Sequence, residues 1–237
     1  MADDMYGRRA WLYDLIYDGK DYASEVERLR QILSDHGVES GASVLEAACG
    51  TGNYLEHLVN FYDSSGFDIS ADMLALARHK VAEVELFEAD MFAFTPKKTY
   101  DAVLCLFSSL SYADSLAQLE RAARNFYEAL RPGGVLVVEP WIGPGDAEPG
   151  RPFMKTYQDD DIKVCRQFVS KEEGRRATLD FHWLVAERGE DVEYFTTQLV
   201  AYLYSATEYR QALEDAGFEV VYDSNGVSGR GLFVARR

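Results

Sequence analysis

The sequence predicts an α/β fold: a doubly wound, mostly parallel seven-stranded sheet with its last strand antiparallel, plus an antiparallel β insertion. Three observations predict it. From residue 43 short apolar runs alternate with segments of helical period, the signature of βαβ units around a parallel sheet. Residues 141–204 interrupt this with a Gly/Pro-rich acidic loop and alternating segments that lack helical period. After residue 205 the α/β order returns. With 237 residues, the chain suits one domain with an inserted subdomain, since single cores stop growing near about 250–300 residues.

In chain order, Tyr6 to Asp18 carries Trp11, Leu12, Leu15 and Ile16 at close to helical spacing in a tyrosine-rich run, which predicts a helix that covers something. Residues 22–35 place Val26, Leu29, Ile32 and Leu33 on one helical face and end before Gly37. Together residues 1–38 read as an N-terminal helical cap. Strands are expected at 43–48, 63–68, 84–88, 100–106 and 134–139, and helices at 53–61, 71–80 and 115–130. Leu130-Arg131-Pro132-Gly133-Gly134 ends the last helix and turns the chain into the next strand. The insertion contributes segments near 162–169, 177–187 and 192–203. A helix at 206–216 and strands at 218–223 and 231–236 complete the fold. Residues 39–140 and 205–237 thus form one Rossmann-like domain, and 141–204 an antiparallel β insertion over its ligand edge.

Composition narrows the function. The 40 acidic and 24 basic residues leave a formal charge of −16, which repels phosphate backbones and anionic bilayers. Neither a nucleic acid nor a membrane is expected as partner. An anionic small molecule requires a local cation, and Arg230, between two glycines, is the candidate; a surface arginine in a turn is the alternative. Cys49, Cys105 and Cys165 are far apart and odd in number, so neither a disulfide framework nor a zinc site is expected. The N-terminus opens with acids and lacks an apolar signal core, which predicts a cytoplasmic protein.

The segment Val44-Leu45-Glu46-Ala47-Ala48-Cys49-Gly50-Thr51-Gly52 is an apolar strand running into a small-residue turn, where a backbone can approach a ligand closely. Asp68 ends the second strand, where an acid can accept both hydroxyls of a ribose. Asp90 closes the third, within reach of an adenine amine, with Met91 and Phe92 offering apolar surface. A dinucleotide site would need a third glycine where Leu55 stands, and Glu46 is poorly placed for a pyrophosphate but suits a cationic sulfonium and an α-amino group.

Glu46 to Gly52 (with Ala48, Gly50 and Gly52 at the turn), Asp68, Asp90 and the Leu130–Gly134 turn resemble class I S-adenosylmethionine-dependent methyltransferases over about residues 40–140. Leu12-Tyr13-Asp14, Tyr17, Lys20-Asp21-Tyr22, Phe107-Ser108-Ser109, Val138-Glu139-Pro140-Trp141, His182-Trp183 and Ser228-Gly229-Arg230-Gly231-Leu232-Phe233 resemble, more narrowly, the N,N-dimethyltransferases that act on nucleotide-linked aminosugars in macrolide biosynthesis. Where that family commonly has a histidine after Phe-Ser-Ser, this chain has Ser111-Tyr112, and Trp141 is followed by Ile142. The resemblance implies S-adenosylmethionine as cofactor and S-adenosylhomocysteine as product. It implies further cofactor contacts from Tyr22, Met73, Met91 and Phe107, acceptor contacts from Tyr13, Trp141 and Arg230, no metal, and a small-molecule acceptor such as a thymidine diphosphate aminosugar; a homodimer stays open.

Methyl transfer from a sulfonium is an in-line displacement, so the protein mainly aligns the acceptor, a contribution of roughly 7–11 kcal/mol. Candidates to hold the amine proton are Tyr17, Tyr112, Glu139 and His182. Tyr13 and Tyr17 suit helix packing equally well, and His182 lies in an alternating strand where a structural role also fits. Glu139 ends a central strand, at the edge where open α/β sheets bind ligands. Methylation of another small amine or hydroxyl, and cofactor binding without catalysis, are the alternative readings.

Overall fold

The computed structural model describes residues 6–146 and 148–237. Two helices open the chain, α1 (Trp11–Tyr17) and α2 (Tyr22–Asp35). They are followed by β1 (Ser43–Ala47), α3 (Leu55–Leu58), β2 (Asp63–Asp68), α4 (Ala71–Lys80), β3 (Glu85–Glu88), β4 (Tyr100–Cys105), a 3-10 turn at Ser109–Tyr112, α5 (Leu116–Ala129) and β5 (Leu130–Val138). The insertion holds β6 (Pro152–Gln158), β7 (Ile162–Glu173), β8 (Arg176–Glu187) and β9 (Glu193–Tyr202). The chain closes with α6 (Ala206–Asp215), β10 (Glu219–Asp223) and β11 (Leu232–Arg236).

The main sheet runs in the order β10-β11-β5-β4-β1-β2-β3, and β11 lies antiparallel to both β10 and β5 while the other pairs are parallel. Its strands are apolar on both faces because helices cover both. Leu45, Val103, Leu136 and Val138 face α5 and α6, whereas Val44, Leu104, Val135 and Val137 face α2, α3 and α4. Side-chain ends secure the helices: Asp21, Ser70 and Ser115 each accept an amide from the first turn of α2, α4 and α5. At α6, Ser205 and Glu208 form a capping box, and Arg175 from the insertion binds Glu208 through both terminal nitrogens. β1 and β4 are neighbours at the reversal of strand order, so the crevice outside their carboxyl ends is the natural ligand site.

The insertion is a second sheet, β6-β7-β8-β9, antiparallel throughout. Phe181, Trp183 and Val185 turn inward from β8 against Leu12 and Ile16 of α1, which forms a third apolar cluster. Four departures from the expected elements have local causes. Residues 51–54 form turns after the glycines, which leaves α3 four residues long in place of a helix over 53–61. Leu130–Gly134 belongs to β5: Leu130 pairs with Tyr100 across a bulge, and Gly133 and Gly134 bond the backbone of Arg237. The edge strand β6 went unseen because six of its seven residues are exposed and it carries no alternation of burial. The first helix begins only at Trp11, after a turn over residues 6–10. Among the described residues no helix is long and apolar enough to cross a membrane.

Candidate active site

Strand β1 delivers Glu46 to the crevice, and the chain then turns sharply through Ala48 (φ 55°), Gly50 (φ 56°) and Gly52 (φ 80°). A positive φ at Ala48 is strained and is held by its surroundings. The turn is fixed from two sides. Gly50 N–H donates to Asp68 Oδ2 at 2.8 Å, and a Cβ at Gly52 would lie 3.1 Å from that of Ala77 on α4. Ser70 N–H donates to the other Asp68 oxygen at 2.9 Å, so both carboxylate oxygens already carry an amide and keep lone pairs to spare. Burial pushes the Asp68 carboxyl up from its ordinary value, against the pull of these amides.

Glu46 is fully buried, and its Oε2 has no hydrogen-bond partner. Burial, then the charge of Asp68, pushes its carboxyl well above the ordinary range. A buried carboxyl lacking a partner is costly and is relieved by a cation, so the residues present fit a ligand with a sulfonium and an α-amino group. Met73 packs its methyl against Gly50, Met91 is buried in the main core, and Asp90 Oδ1 accepts the Phe92 amide at 2.9 Å. The Tyr22 ring meets Tyr54 edge-on at 5.0 Å, and burial raises its hydroxyl pKa. Glu46, Gly50, Asp68 and Met73 thus meet at the turn that follows β1.

The tyrosine-rich helix covers it. Asp14 of α1 accepts from Thr51 Oγ1 and Asn53 Nδ2 and pairs with Lys80 at 2.8 Å, and Ser70 Oγ donates to the Tyr6 carbonyl. This pinning lays an aromatic chain across the site. Tyr6 and Tyr112 share a hydrogen bond between hydroxyls at 2.6 Å; Tyr6 contacts Tyr13, Tyr13 contacts Tyr17 at 4.7 Å between ring centres, and Tyr17 meets Phe107 edge-on at 5.1 Å. Burial holds the Tyr6 and Tyr13 hydroxyls well above the ordinary tyrosine pKa. Tyr6, like Lys155 on β6, is a residue the sequence does not single out. The one signal for Tyr6 was its place at the head of the tyrosine-rich run, opposite nothing that sequence spacing could name.

Phe107 and Ser108 carry positive φ (52° and 68°), and the Phe107 N–H donates to Glu139 Oε2 at 2.7 Å. Glu139, with no exposed surface, also accepts from Ser228 Oγ and lies 3.8 Å from Arg230. The Arg230 guanidinium sits 5.1 Å from the centre of the Phe107 ring, so it is a partnered, half-buried cation rather than a loose turn residue. A cavity of about 590 Å³ opens here, lined by Tyr17, Lys20, Phe107, Lys155, Ser228 and Arg230 among others. Trp141 borders a second cavity of about 310 Å³, which also touches Arg230. His182 is not brought to this site. It lies on the exposed face of β8, opposite to Phe181 and Trp183, with its Nδ1 hydrogen-bonded to Tyr194 at 2.7 Å.

The chain is similar to known proteins along most of its length. A methyltransferase domain family model matches residues 17–223. A dTDP-3-amino-3,4,6-trideoxy-alpha-D-glucopyranose N,N-dimethyltransferase from Streptomyces venezuelae is 37% identical over 94% of this chain and 95% of its own. The crystal structure of Streptomyces venezuelae DesVI superposes with a TM-score of 0.90 at 36% identity, covering 96% of this chain and 97% of that one. The structure of SAM-bound CalS10, an amino pentose methyltransferase from Micromonospora echinaspora, does so at 0.87 and 30% identity, covering 95% and 96%. By sequence over nearly its whole length and by fold, this chain belongs to the methyltransferase domain family.

Proposed function

We propose that the protein is an S-adenosylmethionine-dependent N-methyltransferase whose acceptor is the amine of a nucleotide-linked aminosugar. The observation that carries this reading is the end-to-end match with an N,N-dimethyltransferase of a dTDP-aminosugar. The cavity beside Phe107, which brings Lys20, Lys155 and Arg230 together within a chain of charge −16, supports it.

When bound, the cofactor supplies a methyl group on a positively charged sulfur. Glu46 holds the cationic end of the cofactor, Asp68 the ribose, and Asp90 with Met91 and Phe92 the adenine, while Tyr22, Met73 and Phe107 wall the site. Burial raises the Tyr6 pKa and keeps its hydroxyl protonated, so Tyr6, hydrogen-bonded to Tyr112, orients the acceptor amine instead of removing its proton. Tyr17 and Tyr13 pack the amine's surroundings and exclude water, and Glu139 fixes the Phe107 and Ser228–Arg230 loops. Trp141 and Arg230 contact the acceptor. Residues 141–204 act as an insertion that completes the acceptor pocket around residues 1–38 and the cofactor-binding body.

The test is incubation of the purified protein with S-adenosylmethionine and dTDP-aminosugars. Mass gains of one or two methyl groups, matched by S-adenosylhomocysteine, are expected. A protein that ignores nucleotide sugars but methylates a small free amine overturns the acceptor; one that binds cofactor and methylates nothing overturns catalysis.

A further inference from the structure

The cavity beside Phe107 gathers three cations from three separate stretches: Lys20 before α2, Lys155 on β6 and Arg230 before β11. Bringing like charges together is unfavourable unless an anion answers them. Two of the three already have acids. Lys20 Nζ pairs with Glu25, and Arg230 with Glu139. Lys155 has no carboxylate partner among the described residues; its ammonium lies 4.3 Å from the centre of the Tyr17 ring, facing the cavity.

We infer that Lys155 is a specificity-determining residue for the acceptor, its ammonium gripping the diphosphate of the nucleotide-linked substrate together with Arg230. The inference rests on the nucleotide-sugar reading above. Neither a free aminosugar nor a small amine offers the charge this arrangement is built to meet, whereas a diphosphate presents oxygens that accept charge-assisted hydrogen bonds.

The surroundings of Lys155 give the idea a second readout. Facing it are Tyr17 on α1, Asp18 and Lys20 in the next turn, Glu25 on α2, Tyr157 on β6 itself, Arg166 on β7, and Arg230. Burial, reinforced by Arg166, Arg230 and Lys20, holds its ammonium below the ordinary lysine pKa, with Tyr17 pulling the other way. Glu25 is occupied by Lys20 and Tyr54, Tyr157 by Asp159, and Asp18 is exposed. A bound diphosphate favours the charged lysine, so binding takes up a proton where the free ammonium has begun to titrate.

The test uses thymidine diphosphate as probe with S-adenosylhomocysteine saturating. Titration calorimetry at a pH of about 9, in two buffers of different ionisation enthalpy, reads both affinity and proton uptake. The wild type is expected to bind with net uptake. Lys155→Met should weaken binding about tenfold or more and abolish the uptake, while Lys155→Arg keeps most of the affinity without the uptake, because a guanidinium does not titrate there. S-adenosylhomocysteine affinity, unchanged in both variants, verifies folding. A Lys155→Met protein with wild-type affinity for the probe overturns this inference and leaves the nucleotide-sugar reading standing. A wild type that binds S-adenosylhomocysteine but no thymidine diphosphate overturns both.

Discussion

Asp68→Asn separates the two tasks of the acid at the end of β2. The carboxylate accepts the Gly50 and Ser70 amides at 2.8 and 2.9 Å. Asparagine has one acceptor oxygen, so its NH₂ group must face one of those amides and leave it unpaired, which costs about 1–3 kcal/mol of folding stability. If Asp68 holds the ribose as proposed, the same substitution replaces a charged acceptor for its hydroxyls with a neutral one. Losing charge-assisted hydrogen bonds of about 1.5–3 kcal/mol weakens S-adenosylmethionine binding roughly 10- to 150-fold. Calorimetric titration reads the affinity, and denaturant unfolding of the cofactor-free protein reads the stability. Asp72→Asn, an exposed acid in the first turn of α4, controls for charge in the neighbourhood. The acid dependence follows with a definite sign. Since burial raises the Asp68 pKa, its ionised form begins to be lost above the ordinary carboxylate value as pH falls, and wild-type cofactor affinity declines there while the variant's does not. An Asp68→Asn protein that unfolds more easily yet binds cofactor within about twofold of wild type would refute the ribose assignment and leave Asp68 as a clamp on the turn alone.

Glu46→Gln keeps the shape of a buried carboxyl whose folded-state pKa is raised, a group whose stabilising contribution is present below the unfolded value and lost as pH rises through the folded one. Cofactor-free wild type should therefore lose stability with rising pH above the ordinary glutamate range more steeply than Glu46→Gln in pH-dependent unfolding, and only the wild type should release a proton on binding S-adenosylmethionine, as buffer-dependent calorimetry reads. Tyr6→Phe and Tyr112→Phe should each lower kcat about tenfold with cofactor affinity retained, and the double variant should lose little more, because the 2.6 Å pair acts as a unit. Fully additive losses in steady-state kinetics would show that the hydroxyls act separately. Arg230→Ala should raise KM for a dTDP-aminosugar with cofactor affinity nearly unchanged, and Arg230→Lys should restore part of it. A wild-type KM in the alanine variant would remove Arg230 from the acceptor site.

The main sheet and the turn after β1 were legible in the sequence for a local reason. Strand, turn and acid recur in fixed order along the chain, so Glu46, Gly50, Asp68 and Asp90 announce their positions through the elements that carry them. What was not legible depends on contacts between distant segments. Nothing near Asp14 points to Thr51 or Lys80, nothing near Tyr6 to Tyr112, and nothing in a mostly exposed edge strand to a lysine facing the active crevice. His182 shows the converse. Its neighbours Phe181 and Trp183 alternate inward, which fixes the histidine outward, and that alternation was already visible in Leu179-Asp180-Phe181-His182-Trp183.

The pinned helix over the crevice also hands the experimenter an optical channel. Of the protein's three tryptophans, Trp11 rides on α1 at 36% exposure, Trp141 borders the smaller cavity, and Trp183 is sealed in the insertion, stacked on Phe195 at 5.7 Å. A shift of α1 away from Thr51 and Lys80 changes the surroundings of Trp11 and also those of Trp183, which packs against Leu12 and Ile16 of the same helix. Trp141→Phe removes the intermediate reporter, so emission changes on cofactor addition to that variant track the helix itself, and their time course in a stopped-flow instrument gives the rate at which the crevice is uncovered and closed.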